Sequence, residues 1–517
     1  MRVYLETFGC QMNELDSELV RGQLLSLGHE FVPHPDEAQV VLFNTCSVRE
    51  HAEQKVYSRL GLAGVRKKQG EQLIVGVIGC MAERDGVDLF KRYPQVDLMC
   101  GPGELDRLPL LIDNAARADA ADRSERVALA GNKSRRSATL QAAEDNLELL
   151  DLSRAFEPVA NDAKSRSAYV RITRGCNKFC TYCVVPHTRG AEVHRPPSHI
   201  VDECKRLVEA GVLEITLLGQ TINHYRYTHG TALTVDGHEA PQVGPGLAAF
   251  RKPPDPGART TTFADLLHRI HEEVPALQRL RFVTSYPRDF GDDILQVMRD
   301  SPRICQYLHV PAQSGSDRML KAMNRGYTVS EYLEFIDRVT TTLPDCTIGG
   351  DIIVGFCGET DEDFEQTCEL VRRVPYKNNF IFKYSPRPGT VAFDRLADDV
   401  PDEVKRARNN ALLALQNTVS ARVHERWVGR TVPVFLEDIR ERAAPTGPAN
   451  GHVALSVAGR APAAVAQRIR QVIGRTPGDL IVALPAPDNV ETMLGTIQSA
   501  SIIGSKPLLL DGVFSTT

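Results

Sequence analysis

The chain has no unbroken apolar stretch long enough to cross a bilayer, which takes about 20 residues, so no membrane partner is expected. It lacks a secretory signal as well. In Met1-Arg2-Val3-Tyr4-Leu5-Glu6-Thr7 charge interrupts the apolar core that export requires, and the segment reads as a strand. The protein is therefore expected in the cytoplasm, where its 12 cysteines are metal ligands or buried thiols rather than disulfides. An excess of positive charge is missing too. With 61 Lys and Arg against 66 Asp and Glu the net charge is −5, so any contact with nucleic acid would need a local basic patch.

What the sequence does have is cysteine in a pattern. Cys176, Cys180 and Cys183 lie in Arg174-Gly175-Cys176-Asn177-Lys178-Phe179-Cys180-Thr181-Tyr182-Cys183, a C-x3-C-x2-C spacing. A 4Fe-4S cube normally takes four thiolates, so three leave one iron open to a small molecule. The alternatives are a zinc knuckle or a chance grouping. Zinc sites pair C-x2-C with a second pair or with histidines, and His187 and His194 give no familiar zinc spacing.

At 517 residues the chain predicts two to four domains. In the first, Arg2–Thr7, Val40–Asn44 and Leu73–Ile78 read as strands, and Ser17–Ser26 and Val48–Leu60 have helical apolar spacing. This alternation predicts a parallel α/β sheet. One cysteine follows each strand closely: Cys10, Cys46 and Cys80. The carboxyl ends of parallel strands share one edge, where ligands bind, so the three could converge. Cysteines are also common buried residues near strand ends, which is the other reading.

Periodicity is lost over 116–165, read as a linker in which Asn146–Leu152 is the only apolar island. The next module, 166–400, has strand candidates at Ala168–Ile172, Glu214–Leu218, Arg281–Val283, Tyr307–His309, Ile348–Val354 and Asn379–Tyr384. Pro197–Ala210, Ala264–Glu273 and Val329–Thr342 are helical stretches between them, and a Gly/Pro-rich insertion occupies about 226–262. Such units predict a full or partial parallel barrel, which works at the carboxyl ends of its strands. The cysteine loop follows the first of these strands. Over 421–507 short β-rich runs at Thr431–Leu436, Leu480–Leu484 and Gly495–Ile503 predict a small antiparallel barrel with an insertion at about 442–467. The fold class is α/β with this added β-barrel.

These residues resemble the methylthiotransferase family of radical S-adenosylmethionine enzymes over almost the whole chain. The amino-terminal likeness rests on Glu6-Thr7-Phe8-Gly9-Cys10-Gln11-Met12-Asn13, Asn44-Thr45-Cys46-Ser47-Val48-Arg49 and Gly79-Cys80-Met81-Ala82. The central likeness rests on the cysteine loop with Val184-Val185-Pro186-His187-Thr188-Arg189-Gly190, on His309-Val310-Pro311-Ala312-Gln313-Ser314-Gly315-Ser316 and on Met323-Asn324-Arg325-Gly326-Tyr327. Tyr384-Ser385-Pro386-Arg387-Pro388-Gly389-Thr390 extends it, and Gly474-Arg475-Thr476-Pro477-Gly478-Asp479 is similar to the TRAM domain, a β-barrel associated with RNA binding. Ser47–Lys55 and Leu218-Gly219-Gln220-Thr221-Ile222-Asn223 resemble the branch that modifies isopentenylated adenosine in tRNA, from which Thr221 and Ile222 depart mildly. Cys357 replaces a proline usual in the family and is read as structural.

The resemblance implies two 4Fe-4S clusters. Cys176, Cys180 and Cys183 would hold the one that binds S-adenosylmethionine and generates a radical, and Cys10, Cys46 and Cys80 an auxiliary one used in sulfur delivery. The implied reaction places a methylthio group on carbon 2 of N6-isopentenyladenosine next to the anticodon. The implied partners are the anticodon stem-loop of tRNA and an external electron donor, and the chain is expected to be a monomer. The competing substrates are threonylcarbamoyl-adenosine in tRNA and an aspartate of a ribosomal protein; a non-catalytic iron-sulfur RNA-binding or sensing protein is the other class. Arg171, Arg174, Lys178 and Arg189 are candidate phosphate contacts or solvated surface charge. Gln220, Asn223, Gln313 and Ser314, just beyond strand ends, are candidates for cofactor or base contact or for turn formation. Asp351 is a candidate for cofactor contact or simple capping.

Overall fold

In the computed structural model the amino-terminal strand–helix alternation is a parallel sheet. The structure describes residues 1–47, 50–117, 123–129, 147–154, 166–230, 234–235, 238–244, 257, 259–443 and 468–515. The strands are β1 (Arg2–Phe8), β2 (Glu30–Phe31), β3 (Val40–Thr45), β4 (Ile74–Ile78), β5 (Leu98–Cys100) and β6 (Val127–Ala128), in the order β2-β1-β3-β4-β5-β6. β3 is buried along its whole length, as a run without polar alternation requires when both faces are covered. The helices α1 (Gln11–Ser26), α2 (Glu50–Lys68) and α3 (Cys80–Asp85) follow β1, β3 and β4. α1 begins six residues earlier in the chain than Ser17, the start its periodicity predicts: Asn13, Asp16 and Ser17 are buried polar residues that hide the apolar pattern.

The segment read as a linker contains a helix, α4 (Leu147–Leu152), whose Glu148 and Asp151 are buried. The rest of 130–165, apart from 147–154, lies outside the described residues.

The central module has six parallel strands in chain order: β7 (Ser167–Arg171), β8 (Glu214–Leu218), β9 (Arg279–Phe282), β10 (Tyr307–His309), β11 (Thr347–Val354) and β12 (Tyr376–Lys383). They form two three-stranded sheets, β7-β8-β9 and β10-β11-β12, joined by a parallel bridge between Leu280 and Ile304. Ala168, Val170, Ile215, Leu217 and Leu280 point into the core under the outer helices. Alternation turns Tyr169, Leu218 and Val283 to the concave face, where they pack against Met12, Leu15 and Leu19 of α1. The first helix of one module thus forms a wall of the next.

The last module is a closed barrel of β13 (Thr431–Ala443), β14 (Arg468–Arg475), β15 (Ile481–Pro485), β16 (Ile497–Lys506) and β17 (Leu509–Phe514), in the order β13-β14-β15-β17-β16. Two strands differ from expectation. β14 is rich in arginine and four of its residues are exposed, so its apolar signature is weak, and β17 lies wholly beyond residue 507. β13 also extends to Ala443, into the range read as insertion; residues 444–467 lie outside the described residues. The barrel is seated on the amino ends of the central strands. Arg279 donates to the carbonyls of Arg475 and Pro433 at 2.8 and 2.9 Å, and Arg281 to that of Thr476 at 2.6 Å. No helix among the described residues is long and apolar enough to cross a membrane.

Candidate active site

β1, β3 and β4 are neighbours with Phe8 opposite Thr45 and Asn44 opposite Ile78. The residues just past their carboxyl ends therefore meet, and these are Cys10, Cys46 and Cys80. The Cys46 backbone N–H donates to the Phe8 carbonyl at 2.9 Å. Asn13 and Asn44 brace the turns. Asn13 Nδ2 donates to Asn44 Oδ1 at 3.0 Å, and Asn44 Nδ2 donates to the Asn13 carbonyl at 2.8 Å and to Ser17 Oγ at 2.9 Å. The Cys10 thiol donates to Asn13 Oδ1 at 3.3 Å. Gly79 must be glycine here: its φ is +88°, and a Cβ would lie 2.3 Å from Asn44 Oδ1.

Hydrogen bonding to Cys46 lowers the Cys10 thiol to about 6 against the opposing effect of burial, with help from the charge of Arg189. Burial raises Cys80, and Arg189 again opposes it. The neighbouring strand-end thiol, Cys100, does not join the set. It is buried in a different apolar cluster and donates to the Glu104 carbonyl at 3.1 Å.

The second trio is held from both sides. Gly175 has φ +71°, and a Cβ there would lie 1.9 Å from the Ala191 carbonyl oxygen. Asn324 Nδ2 donates to the Phe179 carbonyl at 3.0 Å, Thr181 N–H to that of Met323 at 3.0 Å, and Ala392 N–H to that of Thr181 at 2.8 Å. Cys176 Sγ lies 3.4 Å from Thr221 Oγ1, and Arg325 donates to Cys180 Sγ at 3.5 Å. Burial raises Cys176 to about 11 and Cys183 further, each also raised by the charge of Cys180. The bare Cys176 and Cys183 thiols stay protonated, and a metal must displace those protons. A closed zinc site takes four protein ligands, whereas a cube takes one thiolate per iron. Each trio fits a four-iron cluster with one iron left without a protein thiolate.

A short helix, α5 (Val185–Thr188), connects the two trios. It starts just after Cys183 and ends at Arg189, whose guanidinium hydrogen-bonds Cys80 and donates to Asp16 Oδ2 of α1 at 2.7 Å.

Three of the four candidate phosphate contacts are spent inside the fold. Arg171 is buried and donates to Asp151 at 2.7 Å. Arg189 is committed to Asp16 and the first trio. Lys178 pairs with Asp289 and sits 4.0 Å over the Tyr286 ring. Arg174 is half-buried on a two-residue strand opposite Val193. Alternation along β7 turns Arg171 to the concave face, where its partners Asp151 and Asp16 lie on α4 and α1. Of the cofactor candidates, Asn223 exchanges both ends of its amide with the Tyr286 backbone, at 3.0 and 2.8 Å. Ser314 lies 3.3 Å from Thr367 Oγ1 and accepts from the Ser316 N–H, so both are structural. Gln220 and Gln313 each keep a buried side-chain oxygen with no partner, and Gln313 holds φ +73°. Asp351 accepts from His309 Nε2 at 3.2 Å on the concave face. Asn13, Asn44 and Arg325 are site residues that pattern reading did not single out, although each lies in a quoted motif.

Residues 2–101 match the family described as uncharacterized protein family UPF0004, and residues 170–371 match the radical SAM superfamily. The chain is thus a radical S-adenosylmethionine enzyme. The tRNA-2-methylthio-N(6)-dimethylallyladenosine synthase of Rhodopirellula baltica is 43% identical over 444 residues, covering 85% of this chain and 84% of that one. That of Agrobacterium fabrum is 40% identical, covering 84% and 87%. The chain belongs to the tRNA-2-methylthio-N(6)-dimethylallyladenosine synthase family, whose cofactors are S-adenosylmethionine and 4Fe-4S clusters. Among solved structures, it is similar to the radical S-adenosylmethionine methyltransferase TsrM from Kitasatospora setae. The TM-score is 0.46 at 13% identity, over 76% of this chain and 77% of that one.

Proposed function

We propose that this protein adds a methylthio group to carbon 2 of N6-isopentenyladenosine beside the anticodon of tRNA. Cys176, Cys180 and Cys183 hold the cluster that binds S-adenosylmethionine, and Cys10, Cys46 and Cys80 hold the auxiliary one. The observation that carries the reading is the connection between the trios. Six residues after Cys183, Arg189 lies against Cys80, so the loop of one trio is tied to the strand end that carries the other.

Carbon 2 of the purine is unactivated toward nucleophiles, so substitution there calls for radical chemistry. When bound, the open-iron cluster with S-adenosylmethionine supplies the one-electron chemistry and the methyl group; the protein's own residues do the positioning. Asn13, Asn44 and Ser17 fix the first set of turns, while Thr181, Asn324 and Gly175 fix the second. Met12, Leu15 and Leu19 of α1 close the concave face against water. The partnerless oxygens of Gln220 and Gln313 are acceptors for the cofactor or the base. An anticodon loop suits the site because its bases are already partly unstacked.

The partners are tRNA and an external electron donor; the protein works as a monomer in the cytoplasm. Nucleoside mass analysis of tRNA from a deletion strain tests the reading. Loss of 2-methylthio-N6-isopentenyladenosine, with ribosomal-protein modification retained, is expected. Loss of a methylthiolated threonylcarbamoyl-adenosine instead would refute the substrate assignment.

A further inference from the structure

Among the described residues six arginines are buried: Arg171, Arg195, Arg279, Arg281, Arg325 and Arg408. Five of them have a carboxylate. Arg171 meets Asp151 at 2.7 Å, Arg195 meets Glu203 at 2.7 Å, Arg279 and Arg281 meet Glu214 at 3.7 and 2.7 Å, and Arg408 meets Glu359 at 2.8 Å. Burying a guanidinium is expensive, and a facing carboxylate is how folds offset that cost. Arg325 breaks the pattern: among the described residues it has no carboxylate.

Its side chain ends in a neutral cage. It donates to Tyr327 Oη at 2.9 Å, to the Pro311 carbonyl at 3.0 Å, to Tyr182 Oη at 3.4 Å and to Cys180 Sγ at 3.5 Å. The Tyr286 and Tyr327 rings lie 4.8 and 5.2 Å from the guanidinium carbon. Phenol, carbonyl and ring faces solvate a cation but do not neutralise it. The one group in reach that becomes an anion in the working protein is the thiolate of Cys180, together with whatever Cys176, Cys180 and Cys183 bind.

We infer that Arg325 is the built-in counter-cation of the Cys176–Cys180–Cys183 cluster, a positioning residue that acts through an N–H···S bond to Cys180. This rests on the assignment of those three cysteines as cluster ligands. Hydrogen bonds to the sulfurs and local net charge are what set the potential of such clusters. A fixed positive charge beside one sulfur favours the reduced, more negative state, so Arg325 makes the cluster easier to reduce. The same charge is a liability when the cluster is absent, because nothing else cancels it.

Arg325→Met keeps an unbranched apolar side chain without the charge. The Pro311 carbonyl stays 3.1 Å from Tyr327 Oη, which shares its one proton with the Ala312 carbonyl at 2.9 Å. The measurement is an anaerobic redox titration of the full chain by electron paramagnetic resonance. The relevant signal is identified as the one missing from a Cys176→Ala/Cys180→Ala/Cys183→Ala variant. In Arg325→Met the ratio of oxidised to reduced cluster at fixed potential should rise at least tenfold, a 59 mV negative shift for one electron. Arg325→Lys should recover part of it. A loaded Arg325→Met with unchanged or raised potential overturns the inference.

If Arg325→Met does not load, thermal melting of the iron-free proteins decides. Melting at or above the wild type supports a charge kept for the cluster, whereas melting below it means Arg325 is only a structural tie and overturns the inference. If the three-cysteine variant keeps full iron and every signal, the ligand assignment itself falls instead.

Discussion

Asp16 is the residue whose loss should most clearly separate the amino-terminal sheet from the central barrel. It sits on α1 with a fully buried side chain. Its Oδ2 lies 2.7 Å from Arg189 Nη2 and its Oδ1 lies 3.9 Å from Arg171 Nη1, and both arginines belong to the central module. Asp16→Asn keeps the shape and removes the charge. Arg171 retains Asp151, so the orphaned cation is Arg189, which then faces only the first thiol trio. Breaking one side of a buried pair costs about 3–5 kcal/mol. A chain of several modules does not unfold in two states, so the quantity to read is the opening free energy of α1 by native-state hydrogen exchange on iron-free protein. It should fall by about 3–5 kcal/mol. Combining Asp16→Leu with Arg189→Met should cost less than the sum of the single changes, with a coupling of about 0.5–3 kcal/mol. A loss under about 1 kcal/mol, the worth of an exposed pair, or strict additivity would refute a buried bridge between the modules.

Gly175→Ala should empty the cysteine loop. A Cβ cannot occupy a position 1.9 Å from the Ala191 oxygen, so iron per chain should fall by about half, and full iron loading would contradict this. Asp479 ties the carboxy-terminal barrel to Lys377 and Arg281. Burial alone would raise its carboxyl, but Lys377, Arg281 and Arg475 outweigh burial and hold it at about 2. Against about 3.9 in the unfolded chain, its contribution is complete above about pH 4 and is lost as pH falls through about 2. Asp479→Asn should therefore flatten the urea-midpoint curve of the wild type between about pH 5 and 2; an unchanged slope would show that the carboxylate is not engaged.

Much of the site was legible because its logic is local. Strand, turn and cysteine follow one another within a few residues at Cys10, Cys46 and Cys80, and parallel topology makes such ends converge. The C-x3-C-x2-C loop needs no partner in the fold to be noticed. Charge was misread because its meaning is set by partners far away: Arg189 and Asp16 are 173 residues apart, and Arg171 and Asp151 lie on different elements. A cation near an RNA-modifying site invites a phosphate, and only burial shows that it already has an anion. α4 was missed because a six-residue helix has little periodicity, and its carboxylates, read alone, look like a solvated linker. β14 was missed for a similar reason, since a barrel strand rich in exposed arginine has only a weak apolar signature.

The account turns on two trios with different tasks, and a Cys10→Ala/Cys46→Ala/Cys80→Ala variant tests this most directly. It should be assayed anaerobically with reductant, S-adenosylmethionine and isopentenylated tRNA, with nucleosides and small molecules read by mass analysis. The account predicts that S-adenosylmethionine is still cleaved to 5′-deoxyadenosine while no 2-methylthio product forms. Methylthiolation at the wild-type level, or loss of cleavage in a variant that keeps its loop cluster, would contradict it.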